Sequence, residues 1–135
     1  MANSRAVMVK KLPESVSVNE SHQLFRELAA VLEEDRPCIV FDFSEVLKID
    51  SAGIEMLLRC MEEAMKRNGD VKLAAVSDQV AVILELTRVD RLFEIFENPS
   101  DAVESFHRFP VQAFRQTTAT ANTGLAADSP DAASN

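Results

Sequence analysis

Apolar and polar positions over residues 1–109 switch between two periods, and the switch points divide the stretch into short segments. Ala6-Val7-Met8-Val9 is an apolar run followed by Lys10-Lys11 and Leu12-Pro13, which reads as a strand entering a turn or hairpin. Val16 and Val18 alternate with Ser15 and Ser17, so a second short extended segment precedes Asn19. Two strand-like segments without a helix between them predict an antiparallel first pair. Asn19 is placed to cap a helix whose apolar face is Leu24, Phe25, Leu28, Val31 and Leu32, and Pro37 stops it. Cys38-Ile39-Val40-Phe41-Asp42-Phe43 is apolar on both faces for most of its length, the pattern of a strand covered on both sides.

Residues 51–68 carry the strongest helical pattern of the chain. Ile54, Leu57, Leu58, Met61 and Met65 form one stripe, with Glu55, Arg59, Glu62, Glu63 and Lys66 largely off it. Asn68-Gly69 supplies the left-handed exit common at helix ends. Residues 71–76 predict another strand, and Ser77 caps a third helix through Val80, Ile83, Leu84 and Thr87. Leu92-Phe93-Glu94-Ile95-Phe96 is a short apolar segment. Asn98-Pro99 then opens a last helix with Ala102, Val103 and Phe106 as its apolar side. Strands separated by helices predict an α/β domain, with a mixed, largely parallel sheet of about four to five strands backed by helices.

Composition narrows the function classes. The 135 residues are enough for one domain with one core. From residue 110 to 135 the chain is mostly Ala, Thr, Ser, Asn, Asp and Gln, which cannot bury enough surface to offset ordering. A domain over 1–109 and a flexible tail over 110–135 are expected, with Val111 and Phe114 able to dock at the start of that tail. The net charge of −8 argues against nucleic acid and against an anionic membrane surface, and favours a protein partner with a basic patch. Eight Phe with no Trp or Tyr leave few stacking platforms for bases or sugars. Cys38 and Cys60 match no metal or redox spacing and read as small buried hydrophobes in a reducing compartment. No apolar run approaches the ~18–20 residues of a membrane span, and Met-Ala-Asn-Ser-Arg has no signal-like apolar region. The expectation is a cytoplasmic monomer or weak dimer.

Enzyme chemistry finds little to stand on. His22 and His107 lie far apart on predicted helix surfaces. Only Gly53, Gly69 and Gly124 are present, so phosphate-loop and dinucleotide fingerprints are absent. No catalytic residue, cofactor or metal is expected, and the acidic residues read as solvated faces. The chain is expected not to be an enzyme.

One segment stands apart. Lys48-Ile49-Asp50-Ser51-Ala52-Gly53-Ile54 joins a buried-looking strand to the strongest helix. Ser51 falls at the helix N-cap or first turn, where free N–H groups and the helix dipole favour negative charge. A phosphate there would add ~1.5–2 negative charges beside the Asp50 carboxylate without melting the helix. The plainer reading makes Ser51 a cap and Gly53 a residue of close packing.

The wider series of segments resembles the STAS domain family, whose soluble single-domain members are anti-sigma factor antagonists. The resemblance is carried by Ile39-Val40-Phe41-Asp42-Phe43-Ser44-Glu45-Val46, then Ile49-Asp50-Ser51-Ala52-Gly53-Ile54 and residues 71–76. It ends with residues 82–96, closing on Leu92-Phe93-Glu94-Ile95-Phe96. It covers about half the chain closely and roughly 1–109 loosely. It implies a STAS-like mixed sheet backed by helices and a partner-switching role. The serine matching Ser51 is phosphorylated in the family by a kinase that is also an anti-sigma factor. The unphosphorylated form binds that kinase, and a phosphatase resets the system. Asp50, Ser51, Ala52 and Gly53 match the contact turn, with Glu55, Arg59 and Glu62 extending it along the helix. A Gly-x-Leu-Asp-like element of the family corresponds here to Glu14-Ser15-Val16-Ser17, so Ser17 stands where an acidic residue is usual. That departure motivates a second reading, a constitutive adaptor of a lipid-transport ATPase or signalling scaffold without phosphorylation. A small-ligand domain for a nucleotide is a third, with no Gly-rich loop or basic pocket behind it.

Overall fold

The computed structural model describes residues 6–107. The expected boundary near 109 and the tail over 110–135 lie outside the described residues. In chain order the elements are β1 (Met8–Lys11), β2 (Ser15–Val16), α1 (Val18–Leu32), β3 (Cys38–Asp42), β4 (Lys48–Ile49) and α2 (Ser51–Lys66). They continue with β5 (Asp70–Ala74), α3 (Asp78–Leu86), a 3-10 turn at Val89–Arg91, β6 (Ile95–Phe96) and α4 (Pro99–Phe106). β1, β3, β5 and β6 form a sheet in that order, and β2 and β4 form a separate two-stranded ribbon. The α/β class expected from the pattern is the one observed.

The expected antiparallel first pair is corrected. β1 and β2 do not pair with each other; β1 pairs with β3 and β2 with β4, and both ladders are parallel. The physical reason lies in residues 12–14. A tight hairpin needs positive φ at its turn, and the positive-φ residues among those described are Arg36, Asn68, Ala75 and Arg88. Leu-Pro-Glu carries the chain onward instead. The Leu12 N–H donates to the Asp42 carbonyl, and the Leu47 and Lys48 N–H groups both donate to the Glu14 carbonyl. Those bonds move the chain from the main sheet onto the ribbon.

Helices α1, α2 and α3 cover one face of the sheet. Their contacts with it bury Leu28, Leu57 and Leu84 against Phe41, Phe43 and Leu73 in the larger core. Each such side chain contributes about 1.5–3 kcal/mol on leaving water. In α2 the deepest positions are Gly53, Leu57, Cys60 and Ala64, with Ile54 and Met56 beside them. The stripe expected from the large residues is displaced by about one position. Leu58 and Met61 are only partly buried and Met65 is exposed. Three small residues on the inward line let the helix lie close to the sheet, and a scan for large hydrophobes passes over them. Burial also pushes the Cys60 thiol up to about 12.

Caps agree with expectation at two helices and differ at one. Ser77 accepts from the Val80 N–H and Asn98 from the Asp101 N–H, with Pro99 in the first turn of α4. At α1 the cap residue is Ser17, not Asn19, and Val18 begins the helix. Asn68 takes the left-handed conformation after α2, with φ 64°.

The opposite face of the sheet is covered by α4. Its small core is Val40, Ala74 and Ala102, with Phe96, Val103 and Phe106 packed against it. Lys72 reaches into this layer from the middle of β5. Its ammonium donates to Ser105 Oγ at 2.6 Å, pairs with Glu94 at 3.1 Å, and lies 4.2 Å from the centre of the Phe106 ring. A buried cation with all these partners ties α4 to the sheet. Lys72→Ala should therefore destabilise α4 by about 1–3 kcal/mol, read as faster hydrogen exchange of the α4 amides. Lys72→Met, which keeps the stem, should show a smaller increase.

Candidate functional site

The distinctive turn is set by the ribbon beneath it. Ser15 and Val16 of β2 lie in register with Lys48 and Ile49 of β4, and the Asp50 N–H donates to the Val16 carbonyl at 3.3 Å. The chain enters α2 directly from that ladder. Asp50, in extended conformation, is the N-cap, and its Oδ1 accepts from the Ala52 N–H at 3.0 Å and the Gly53 N–H at 3.2 Å. Ser51 is the first helical residue and is exposed.

This geometry sharpens the expectation for Ser51. Asp50 performs the capping, so the Ser51 hydroxyl is left for other contacts. Two N–H groups of the first turn are already occupied by a carboxylate. A phosphate on Ser51 would meet the dipole end of α2 but share it with Asp50, so its charge would stand outward from the surface.

Gly53 is required by distance. A Cβ at this position would lie 2.6 Å from the Val16 carbonyl oxygen and 2.6 Å from Ile49 Cγ1. The first turn of α2 thus rests on the backbone of β2 and on the side chain of β4. The same contact sets how far Asp50 and Ser51 project.

The other predicted contact residues fall on two parts of α2. Ala52 and Glu55 line a small cleft between α1 and α2 together with Ser21, His22, Phe25 and Arg59. The Arg59 guanidinium stacks 4.2 Å from the centre of the Phe25 ring, which holds it on the α1–α2 seam. Glu62 is exposed further along the helix. Its position eleven residues beyond Ser51 puts it roughly 16 Å away along the axis. Asp50, Ser51, Ala52, Gly53 and Glu55 therefore form one compact group, Arg59 shares the cleft with Ala52 and Glu55, and Glu62 lies beyond it.

A groove missed from sequence lies on the other side of the turn. It has a volume of about 530 Å³, with Ser17, Leu47, Lys48 and Asp50 on one bank and Gln79 and Ile83 of α3 on the other. Leu47 is 58% exposed, and Val82 and Leu86 of α3 are also exposed. The spacing Gln79, Val82, Ile83, Leu86 is an amphipathic signal that could have found this bank. Leu47 gives no periodic signal, because the ribbon is only two residues long on each side.

Ser17, where an acidic residue was expected, is itself engaged. Its hydroxyl donates to Glu20 Oε1 at 2.6 Å and its N–H donates to the same oxygen at 3.2 Å. These bonds, the hydroxyl's first, hold the Glu20 carboxyl below its ordinary value. Their contribution is present above the unfolded-state value and is lost as pH falls through the folded one.

The described residues thus form a two-faced α/β sheet beside a parallel ribbon that presents a capped serine turn. The STAS domain model matches residues 2–102, and the chain belongs to that family. Among solved structures, a Thermotoga maritima protein, provisionally described as an anti-sigma factor antagonist, is 22% identical with a TM-score of 0.68. The match covers 76% of this chain and 88% of that one. The anti-sigma factor antagonist SpoIIAA in its unphosphorylated form is 15% identical with a TM-score of 0.60, over 81% of this chain and 96% of that one. A sulfate transporter family protein from Wolinella succinogenes is 18% identical with a TM-score of 0.59, over 75% and 84%. At these identities the likeness establishes the fold. Among the described residues, no helix is long and apolar enough to cross a membrane.

Gly53→Ala should lower stability by about 1–3 kcal/mol, because backbone at Val16 must move to admit the methyl. Denaturant unfolding should show the midpoint fall with the slope unchanged.

Proposed function

We propose that this chain is an anti-sigma factor antagonist that works by partner switching in the cytoplasm, as a binding module without catalysis of its own. Unphosphorylated, it binds an anti-sigma factor that is also a serine kinase. Phosphorylation of Ser51 releases it, and a phosphatase restores the binding form. The observation that carries the reading is the exposed Ser51 at the first position of α2, beside an Asp50 carboxylate that already serves the free N–H groups. A hydroxyl not needed for capping is accessible to a kinase. A phosphate added there turns one negative charge at the turn into about three.

The binding surface in this reading is the turn together with Glu55 and the apolar banks at Leu47 and Ile83. Apolar contact supplies affinity, and the charge at Ser51 sets whether it is reached. Like charge brought against a partner's nucleotide or acidic surface costs a few kcal/mol, which is about a hundredfold or more in affinity.

Incubation with ATP and the cognate serine kinase should place one phosphate on the chain, mapped by mass spectrometry to Ser51. Ser51→Ala should keep kinase binding, and Ser51→Asp should weaken it by about 10–100-fold. A cognate kinase that leaves Ser51 unmodified would sink the proposal. Equal affinity of both variants would instead support a constitutive adaptor, the reading prompted by Ser17 and consistent with the likeness to a transporter-family protein.

A further inference from the structure

The cleft on the seam between α1 and α2 holds a hydroxyl that the fold leaves unserved. Ser21 is only 4% exposed, yet its Oγ has no hydrogen-bond partner among the described residues. An unpaired hydroxyl costs stability when buried. Beside a cavity, it marks a place where a polar group from outside completes the bond. Ser21 lines this cleft together with Arg59.

Arg59 also lacks an ionic partner. Glu55 stands one turn earlier, at the spacing that favours a helical ion pair, but none of the ion pairs among the described residues includes Arg59. Its guanidinium lies over the Phe25 ring instead. Stacking engages the flat face and leaves the N–H donors at the edge, the geometry that takes a carboxylate with two parallel bonds. Size then limits the ligand. The cleft has a volume of about 60 Å³, the share of about two waters. A carboxylate head fits it, and a nucleotide does not. Phe25 and Met56 give an apolar wall for a methylene stem, and Ser21, His22 and Arg59 give donors for the head.

We propose that the α1–α2 cleft anchors one carboxylate side chain, an Asp or Glu presented by a protein partner. The net charge of −8 and Glu55 beside the cleft oppose a free anion, so the anchor adds specificity to a surface held by other contacts. That this partner is the anti-sigma kinase rests on the partner-switching reading above. The anchored carboxylate is then what a phosphate on Ser51 repels, because Ala52, the next residue, forms part of the cleft wall.

The test titrates acetate, the carboxylate head alone, into the full chain at constant ionic strength, with acetamide as the uncharged control. Acetate should move the Arg59 Nε–H and the Ser21 and Glu55 amide NMR signals along a saturating curve, half-complete at about 0.1 M. Acetamide should not, and Arg59→Gln should remove the response. Ser21→Ala should weaken it about threefold or more while leaving the unfolding midpoint equal or higher, because the lost hydroxyl had no partner. A linear response spread over the surface, or equal responses to acetate and acetamide, would overturn the site. A lowered midpoint in Ser21→Ala would overturn it too, showing a hydroxyl already satisfied within the fold. With the cognate kinase, Arg59→Gln should weaken binding about tenfold and shrink the further loss caused by Ser51→Asp. Full additivity of the two changes would overturn a partner carboxylate as the occupant. A kinase that does not bind the wild-type chain would contradict the partner-switching reading instead, and the acetate response alone then decides the cleft.

Discussion

The approach of α2 to the β2–β4 ribbon at Gly53 is the constraint on which the proposed binding surface depends. With no side chain there, the first helical turn settles onto the Val16 carbonyl and the Ile49 side chain. That contact places Asp50 where its carboxylate reaches two N–H groups of the same turn. It also leaves Ser51 as the first helical residue, outside the packing and outside the capping. Small residues then continue along the inward line of α2 through Cys60 and Ala64, so the helix remains close to the sheet along its length. Close approach and an exposed serine are two consequences of one geometry.

The two faces of the sheet are built differently. The larger core is built mainly of apolar side chains and takes its stability from area. The smaller one is thin and includes a buried ammonium, whose hydrogen bond, ion pair and ring contact all come from residues 94–106. The Asp50–Gly53 turn and its groove lie on the side of the larger core.

Much of this was legible in the amino-acid pattern, and the misses have physical causes. The strand at residues 38–42 and the helix after Asp50 announced themselves by continuous apolarity and by a strong 3.6-residue period. The pairing of residues 8–16 was misread because pattern alone places strands without choosing their neighbours. Backbone bonds to the Glu14 carbonyl made that choice. The inward line of α2 was displaced because glycine, cysteine and alanine carry little weight in a search for large hydrophobes. At the site, the Asp50–Gly53 turn was read directly. The division of labour within it, Asp50 capping and Ser51 outside the cap, is set by the three-dimensional turn, since both residue types cap helices well. The groove beside the turn joins α3 to the two-residue strand β4, which is far from it in sequence, and no local pattern encodes that meeting.

The proposed switch is a change of charge at a position that packing leaves exposed, so its most direct measurement varies charge screening. Affinity of the proposed serine kinase partner should be measured for the unmodified and the Ser51-phosphorylated chain at low and high salt. Phosphorylation should weaken binding by about a hundredfold at low salt, and the gap should narrow as salt screens the turn. A gap of the same size at both salt concentrations, or no gap at all, would contradict it.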